Sequence, residues 1–427
     1  MHAVRPRTAV RRVGVLSVHT SPLDQPGHGD GGGLNVSVAE TSRRLADRGV
    51  HVDVFTRATD PSRPARVVAH RGRDGGVVEV HHLVAGPVAP VAKEDVANHL
   101  CAFLLGLERH PSAGTHDVLH SHYWLSGWVG RRLAARAGVP LVHTFHTLGL
   151  LKNAHLAPGD TAEPPLRLLA EAAVARDADR TTVLTCEEAS LLHRAHGLSG
   201  QRISVVPAGV DLDRFSPAAA PRRDRPPTLL FVGRLQLLKG PEVAVRTLAA
   251  VREHVPGARL RIVGGRSGDV AGTDPAQLRA LAAELGVADG LALEPAVPQR
   301  ELAQRYRDSD VLLVPSRSET FGLVALEAQA SGVPVVAADV PGLRAVVGDG
   351  GTLVPGHDPA DHAAAVVAYL TDPARAAAAA EAGLARARAA SWDVTVDRLL
   401  RVYAEVVGER RGQRDVADRA ASSAVSA

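Results

Sequence analysis

The chain has 427 residues, of which 45% are hydrophobic and 22% are charged. These fractions are ordinary for a globular protein, and the length suits two or three domains with cores of their own. The formal net charge of +3 is too small to predict a nucleic-acid-binding face. Only two cysteines occur, which excludes a disulfide framework and favours a reducing, cytoplasmic location. Since no apolar run is long enough to span a bilayer, we expect a soluble protein without membrane partners.

Lysine is scarce in this sequence. Only three of the 49 basic residues are lysines, namely Lys93, Lys152 and Lys239. A compact ammonium group and a planar guanidinium group are not interchangeable, so the three positions are candidates for sites that need lysine. Chance survival on the surface is an equally good explanation for any one of them.

Short apolar runs alternate with helical patterns through the first half of the chain. Strands are predicted at Val13–Val18, Val50–Thr56, Val77–Val84, Asp117–His122, Val139–His146, Thr181–Cys186 and Ile203–Val206. Several of these runs are almost continuously apolar, as a sheet covered on both faces requires. Helical patterns such as Val36–Arg48 and Leu166–Arg176 lie between them, which predicts a doubly wound parallel sheet.

The alternation breaks at Asp211–Pro227, a segment rich in proline and alanine that is typical of a linker. It then restarts, with strands predicted at Leu229–Val232, Leu260–Val263, Leu291–Val297, Val311–Pro315, Val333–Ala338 and Thr352–Val354. The predicted fold class is therefore α/β, with two Rossmann-like domains, 1–212 and 213–391, facing each other across a cleft. We expect the helix at 392–408 to pack back on the first domain and residues 409–427 to be disordered.

A glycine-rich stretch, Gly29-Asp30-Gly31-Gly32-Gly33-Leu34-Asn35, follows the first predicted strand and opens the first predicted helix. Consecutive glycines let a ligand approach the main chain, and a helix N-terminus offers free N–H groups to a phosphate. The spacing does not match the dinucleotide fingerprint. We predict an anion site here, with a flexible loop as the alternative.

Two cations follow the first strand of the second half. Arg234 and Lys239 stand five residues apart, directly after Phe231-Val232-Gly233. Two cations at the carboxyl end of a strand suit a pyrophosphate group. Two solvated surface cations are the alternative, which the apolar residues between them make less favourable.

Two carboxylates lie eight residues apart in Ser318-Glu319-Thr320-Phe321-Gly322-Leu323-Val324-Ala325-Leu326-Glu327. Glu319 is expected at the mouth of the cleft, and Glu327 a little over two helical turns later. Carboxylates accept hydrogen bonds from sugar hydroxyls, and a ribose diol can bind one in a bidentate way. Glu327 stands among apolar residues, where a charged group is costly without a partner, so we favour sugar binding over two surface glutamates.

Histidines mark the ends of two predicted strands, in His120-Ser121-His122 and in His143-Thr144-Phe145-His146. A metal site is one interpretation, but no carboxylate or thiol completes a ligand set at suitable spacing. We therefore favour histidines that line the cleft and form hydrogen bonds.

Together these motifs resemble the retaining glycosyltransferases of the GT-B fold, the family-4 group of sucrose synthase and bacterial glycogen synthase. Arg234, Lys239 and the two glutamates within SETFGLVALEAQASGVPVV carry this resemblance. In the N-terminal half, HSHYWLSG and VVPAGVDLDRFSP are similar to D-inositol 3-phosphate glycosyltransferases, which begin mycothiol biosynthesis. The resemblance runs from about Val13 to Val407. It implies transfer of N-acetylglucosamine from UDP-N-acetylglucosamine to 1D-myo-inositol 3-phosphate, with release of UDP, by a homodimer.

The resemblance also assigns roles to residues. The C-terminal domain is implied to hold the donor and the N-terminal domain the acceptor. Donor contacts are implied for Gln25, Pro26, Gly33, Arg234, Lys239, Val297, Glu319 and Glu327. Acceptor contacts are implied for His19, Asp30, Gly31, Gly32, Gly33, Leu34, Asn35, Lys93, Tyr123, Thr147 and Arg167. Catalytic roles are implied for His146, Arg234, Lys239 and Glu319. No cofactor is expected for the chemistry, although main-chain carbonyls at Tyr306, Arg307 and Ser309 are implied to hold a structural magnesium ion. Lys152 receives no ligand role.

No carboxylate is clearly placed for a double displacement, so a front-face mechanism is predicted in which the bond to UDP breaks first. Arg234, Lys239 and the helix behind Gly33 would stabilise the leaving phosphate. Three alternatives stay open: a related transferase with another acceptor, such as a sucrose-phosphate synthase-like enzyme, a UDP-sugar epimerase, or a binding protein without activity.

Overall fold

The computed structural model describes residues 10–27, 29, 31–154, 156, 161–218, 225–266 and 274–425, with residues 414–425 as backbone only. Two sheets form the framework. The first contains β1 Arg12–Leu16, β2 His51–Arg57, β3 Arg66–Arg71, β4 Val77–Leu83, β5 Val118–His122, β6 Leu141–Thr144, β7 Arg180–Val183 and β8 Ile203–Val205. The second contains β9 Thr228–Val232, β10 Arg259–Val263, β11 Leu291–Glu294, β12 Val311–Val314, β13 Val335–Ala338 and β14 Gly351–Val354.

Helices cover both sheets. They are α1 Gly33–Ala46, α2 Leu100–Glu108, α3 Tyr123–Ala137, α4 Gly149–Ala154, α5 Pro165–Asp177, α6 Cys186–His196, α7 Pro241–Arg252, α8 Pro275–Glu284, α9 Gln299–Arg307, α10 Leu323–Ala330, α11 Pro341–Val347, α12 Pro359–Thr371, α13 Pro373–Ala389 and α14 Trp392–Val425. Short 3₁₀ turns occur at Asp95–His99, Gly200–Arg202, Leu237–Lys239, Ala288–Gly290 and Gly348–Gly350. None of the described helices is both long enough and apolar enough to cross a membrane.

The strand order of the first sheet is β3-β4-β2-β1-β5-β6-β7-β8, and that of the second is β11-β10-β9-β12-β13-β14. The strands are parallel except for β3, which pairs with β4 in the antiparallel direction. The chain reverses its direction of travel across each sheet beside β1 and beside β9. In doubly wound folds ligands bind at the carboxyl ends of the strands at such reversal points. The fold places the glycine-rich stretch after β1 and the Arg234 segment after β9 at these two positions.

The predicted α/β fold class with two Rossmann-like sheets is confirmed. The sequence pattern missed β3, because its side chains are mostly exposed and lack the apolar run that marks the other strands. Residues 219–224 of the expected linker lie outside the described residues.

The helix α14 packs on the first sheet rather than the second. Val396, Leu399, Val402 and Tyr403 join the apolar core that contains β1, β2 and β4. The expectation that 409–427 is disordered is wrong for 409–425, where α14 continues. Two ion pairs extend the contact beyond the apolar residues, because Arg180 binds Glu409 and Asp179 binds Arg410. Residues 426 and 427 lie outside the described part of the chain.

Candidate active site

A cleft of about 330 Å³ lies between the two domains and takes its lining from both. Most of the predicted ligand-binding residues meet there. The structure brings together His19, Pro26, Gly31, Gly32, Gly33, Leu34, Lys93, Tyr123, His146, Thr147, Arg234, Lys239, Val297, Glu319 and Glu327. They stand far apart in the sequence, so the two sheets and not local motifs bring them into one site.

Three predicted ligand-binding residues lie outside the cleft lining, and a fourth is not described. Asp30 lies outside the described residues. Gln25 donates a hydrogen bond from Nε2 to the carbonyl of Ala296, at 3.0 Å, and so joins the two domains at the edge of the cleft. Asn35 and Arg167 are buried behind the cleft surface, with 1% and 2% of their area exposed. They support the residues that line the cleft.

The first helix begins at the cleft with its N-terminus open to a ligand. Asn35 accepts a hydrogen bond from the main-chain N–H of Gly32 and donates two bonds to the turn before the helix, to Thr20 and Ser21. These bonds fix the start of α1. A Cβ atom added to Gly33 would lie 3.2 Å from Leu323, the first residue of α10. Two helix N-termini from different domains therefore meet at one place, and both favour negative charge there.

The Lys239 ammonium group forms an ion pair with Glu319 on the side of the cleft that the second domain lines. Its Nζ lies 2.6 Å from Oε1 of Glu319, which also accepts a hydrogen bond from Ser316 at 3.2 Å. Gly240 follows Lys239 with a φ of +69°, and a Cβ atom there would lie 2.6 Å from the carbonyl oxygen of Pro315. This close packing fixes the turn that presents Lys239.

Arg234 lies against the glycine-rich stretch of the other domain. Its Nε is 3.9 Å from the point where a Cβ atom of Gly32 would stand. A guanidinium group and a helix N-terminus thus approach the same space from opposite sides. This arrangement can bind a group with two or more negative charges, such as a diphosphate.

The second glutamate of the motif, Glu327, is almost completely buried, with 6% of its area exposed. The hydroxyl of Tyr306 donates a hydrogen bond to its Oε2, at 2.9 Å. Burial raises the pKa of Glu327 to about 7, although this hydrogen bond acts in the opposite direction. Glu327 also lines the cleft, so its carboxyl group can contact a ligand bound deep in the cleft.

The contacts at the predicted magnesium site do not favour a metal ion. The carbonyl of Tyr306 already accepts hydrogen bonds from the main-chain N–H groups of Asp308 and Ser309. Arg307 binds the carbonyl oxygens of Arg214 and Ser216 through its side chain. Both lone pairs of the Tyr306 carbonyl are therefore in use, and the magnesium site stays a prediction.

Tyr123 lies between two cations on the side of the cleft that the first domain lines. Lys93 Nζ is 4.5 Å from the centre of its ring, and Arg167 Cζ is 5.0 Å from it. Arg167 also donates hydrogen bonds to the carbonyl and the hydroxyl of Thr147, both at 3.0 Å. The main chain of Tyr123 has a φ of 72°, an uncommon conformation for a residue with a side chain. A cationic patch with two hydroxyl groups results, which suits a phosphate ester.

Lys152 lines the cleft as well, so all three lysines of the chain do. Its Nζ lies 2.6 Å from Oε1 of Glu163, and the other oxygen of Glu163 binds Arg167 at 2.9 Å. The sequence pattern did not predict this link between Lys152 and Arg167. The scarcity of lysine was the available signal, but it does not distinguish a ligand contact from the ion pair observed here.

His146 lies on the same side of the cleft as Tyr123, shortly after β6, with a φ of 61°. Its Nε2 is 2.8 Å from Nδ1 of His122, at the end of β5. Burial lowers the pKa of His146 to about 3, so the ring is neutral at physiological pH. His120 continues the row of histidines and contacts the hydroxyl of Tyr403 on α14, at 2.6 Å. The His122 contact fixes the His146 ring, whose role remains a prediction.

Comparisons with known proteins agree with this architecture. The model for glycosyl transferases group 1 matches residues 213–386, and the model for Glycosyltransferase Family 4 matches residues 31–214. A D-inositol 3-phosphate glycosyltransferase from Acidothermus cellulolyticus is 50% identical, over 94% of this chain and 92% of the relative. A protein of the same name from Thermomonospora curvata is 47% identical, over 92% of this chain and 95% of the relative.

Solved structures share the fold. Sucrose-phosphate synthase from Thermosynechococcus elongatus superposes with a TM-score of 0.85 at 30% identity, over 93% of this chain and 100% of that one. Anabaena Alr3699/HepE, solved with UDP and glucose, gives 0.68 at 18% identity, over 92% of this chain and 98% of that one. The predicted hexosyl-transferring enzyme of GT-B fold is confirmed, and the chain belongs to Glycosyltransferase Family 4, within the family of D-inositol 3-phosphate glycosyltransferases.

Proposed function

We propose that the enzyme transfers N-acetylglucosamine from UDP-N-acetylglucosamine to 1D-myo-inositol 3-phosphate and releases UDP. One observation carries this proposal: a single cleft contains two separate cationic groups, one on each domain. Arg234 and Lys239 lie on one side, and Lys93 and Arg167 lie on the other. A donor with a diphosphate and an acceptor with a phosphate require two such groups.

On the donor side, the diphosphate would lie between Arg234, Lys239 and the N-terminus of α1. An ammonium group has three donor hydrogens, so Lys239 can keep its bond to Glu319 while it donates to a phosphate. Glu319 would then accept hydrogen bonds from the sugar hydroxyls. Glu327 is placed to bind the ribose diol, and Val297 lines the same part of the cleft. The names of the relatives support glycosyl transfer to D-inositol 3-phosphate as the reaction.

On the acceptor side, the phosphate of the inositol would lie against Lys93 and the hydroxyls of Tyr123 and Thr147. Arg167 is held behind them by Glu163, Glu171 and Thr147. Its positive charge reaches the site although its area is almost entirely covered. His19 packs against the Tyr123 ring, at 4.7 Å between ring centres, and is placed to contact the inositol ring.

We infer a front-face mechanism that retains the anomeric configuration. The bond between the anomeric carbon and the UDP oxygen breaks first, and its electron pair goes to the leaving phosphate. Arg234, Lys239 and two helix N-termini stabilise the charge that develops there. The acceptor hydroxyl then bonds to the anomeric carbon on the same face, and its proton goes to the leaving phosphate oxygen. Since neutral His146 carries no charge, it would position a donor hydroxyl rather than supply the proton.

A related transferase with another phosphorylated acceptor is the second candidate, because sucrose-phosphate synthase superposes so closely on this chain. The name of that enzyme implies a sugar phosphate product. The same cationic patch could bind fructose 6-phosphate, so the patch alone does not separate the two acceptors.

The test is a UDP-release assay with UDP-N-acetylglucosamine and a panel of acceptors. We expect turnover with 1D-myo-inositol 3-phosphate, much less with unphosphorylated inositol, and little with fructose 6-phosphate. Preference for fructose 6-phosphate would contradict the proposed acceptor, and UDP-sugar conversion without any acceptor would indicate an epimerase. The cytoplasmic location and the homodimer remain part of this proposal, and sedimentation velocity of the purified chain tests the dimer.

A further inference from the structure

A second cavity, of about 450 Å³, lies on the first sheet and shares no lining residue with the cleft. Acidic and histidine side chains from β2 and β4 surround it. The strand register aligns Gly14 of β1 with Asp53 of β2, and Asp53 with Glu79 of β4. Three neighbouring strands thus bring these positions into one row across the sheet. The transferase chemistry makes no use of this cavity.

Asp53 is the centre of the cluster and has none of its area exposed. Its Oδ2 accepts hydrogen bonds from His116 Nε2 at 2.9 Å and from Arg12 Nε at 2.8 Å. Its Oδ1 lies 3.0 Å from His81 Nε2 and 3.5 Å from His51 Nε2. Gly14 makes the arrangement possible, because a Cβ atom there would lie 3.0 Å from the ring of His116. A carboxylate buried so completely needs several partners.

Three groups of the cluster lie close enough together to approach one small cation. Ligand atoms of His51, Asp53 and Glu79 all lie within 4.8 Å of one another. His81 Nε2 lies 3.0 Å from Asp53 and 3.8 Å from Glu79 Oε2. Tetrahedral zinc with bonds of about 2.0–2.2 Å requires its ligand atoms to be roughly 3.3–3.6 Å apart. His51, Asp53 and Glu79 can therefore converge on one ion, and His81 lies near two of them and can complete the set when its ring turns toward the ion.

We propose that His51, Asp53, Glu79 and His81 bind a zinc ion. Two imidazole nitrogens and two carboxylate oxygens form a ligand set that zinc accepts in four-coordinate sites, whereas magnesium prefers oxygen ligands and water. When zinc binds, the proton on Nε2 of His81, which now hydrogen-bonds Asp53, passes to solvent. The ion would link β2 to β4 and stabilise the edge of the sheet that carries the antiparallel strand β3.

Two arginines pair with the carboxylates of the proposed zinc site and balance their negative charge. Arg66 binds Glu79 through two nitrogens, and 60% of its side chain is exposed. Arg12 binds Asp53, with 35% of its side chain exposed. An exposed arginine can turn into solvent at little cost, so Arg66 competes with the ion for Glu79 but does not block it. Removal of Arg66 should therefore strengthen zinc binding. A histidine cluster without a metal-binding role should not respond in this way.

Titration of the metal-free full chain with zinc chloride in a calorimeter tests the proposal. We expect one tight equivalent of zinc, a rise in melting temperature on addition of zinc, and no such response to magnesium chloride. His51→Ala and Glu79→Gln should weaken zinc binding at least 10-fold, and Arg66→Ala should strengthen it. His70→Ala is the matched control, because His70 pairs with Asp47 outside the cluster. UDP release should be unchanged in His51→Ala.

A loss of zinc binding in His51→Ala can be distinguished from misfolding. His51 is half-exposed, and its removal leaves the Asp53 bonds to His81 and His116 in place. Absence of a tight equivalent in the parent chain would overturn the proposal. Equal affinity in the parent chain and His51→Ala would overturn it too, as would a loss of affinity in Arg66→Ala.

Discussion

The two faces of the cleft hold their charged groups in different ways. On the acceptor face, Arg167 is buried and pairs with Glu163, Glu171 and Thr147, and Lys152 pairs with Glu163. On the donor face, Lys239 is partly exposed and pairs with Glu319, a residue that is itself expected to bind the sugar. The acceptor face is therefore organised before any ligand arrives. The donor face is organised by one ion pair between two residues that are themselves expected to contact the ligand. Substitutions on the two faces should therefore affect different kinetic constants.

The largest effect is expected for Lys239→Ala on the donor face. Loss of one group that stabilises charge on the leaving phosphate should reduce turnover by about 10²-fold, with a small change in acceptor KM. Steady-state UDP release measures both constants. Arg246→Ala removes an exposed cation of α7 and should leave turnover unchanged. Normal turnover in Lys239→Ala would exclude Lys239 from catalysis.

Arg167→Lys comes next and tests the acceptor face. Lysine keeps the charge but cannot make the two bonds to Thr147 together with those to both glutamates. We expect the KM of the inositol phosphate to rise about 10-fold, with the donor KM unchanged. Melting temperature should be recorded alongside, because complete removal of a buried ion-pair partner costs about 3–5 kcal/mol of stability. A rise in donor KM instead would contradict the separation of the two faces.

A pH dependence of a few-fold is expected from Glu327. Its pKa is raised to about 7, so the carboxyl group gains a proton as pH falls from 8 to 6 and accepts fewer hydrogen bonds from the ribose. The donor KM should therefore rise over this range. Tyr306→Phe removes a hydrogen bond that lowers this pKa, so the change should move to higher pH.

The control for this pH dependence is Glu188, whose pKa burial also raises to about 7. Glu188→Gln should keep the rise in donor KM, whereas Glu327→Gln should abolish it and leave the donor KM high at every pH. If the rise in donor KM disappeared in Glu188→Gln, the titrating carboxyl group would be Glu188 and not Glu327.

The smallest effect is expected for Gly33→Ala, at the contact between the faces. The added methyl group would lie 3.2 Å from Leu323, so the domains must separate by a few tenths of an ångström. We expect turnover to fall about 2- to 5-fold, because small misplacements of reacting groups reduce rates. The double variant with Leu323→Ala should recover most of the loss. Without recovery, the effect would belong to the main chain of α1 rather than to the domain contact.

Motifs in the sequence predicted four residues that the structure places in the lining of the cleft. Arg234, Lys239, Glu319 and Glu327 stand in two short segments, each directly after a strand, and a parallel sheet places such segments at one edge. The acceptor face was found only through resemblance, because Lys93, Tyr123 and Arg167 come from three distant elements. The proposed zinc site was not predicted from the sequence. His51, Asp53, Glu79 and His81 show metal-ligand spacing only after β2 and β4 are paired in register.

The helix α14 makes the first domain depend on the end of the chain. Val396, Leu399 and Val402 fill the core around β1, β2 and β4, and Tyr403 contacts His120 on β5. During synthesis the ribosome releases these residues only after the whole second domain. The half of the protein that is translated first is therefore the last to be completed, and a nascent chain that stops before residue 392 exposes an uncovered apolar groove to chaperones and proteases.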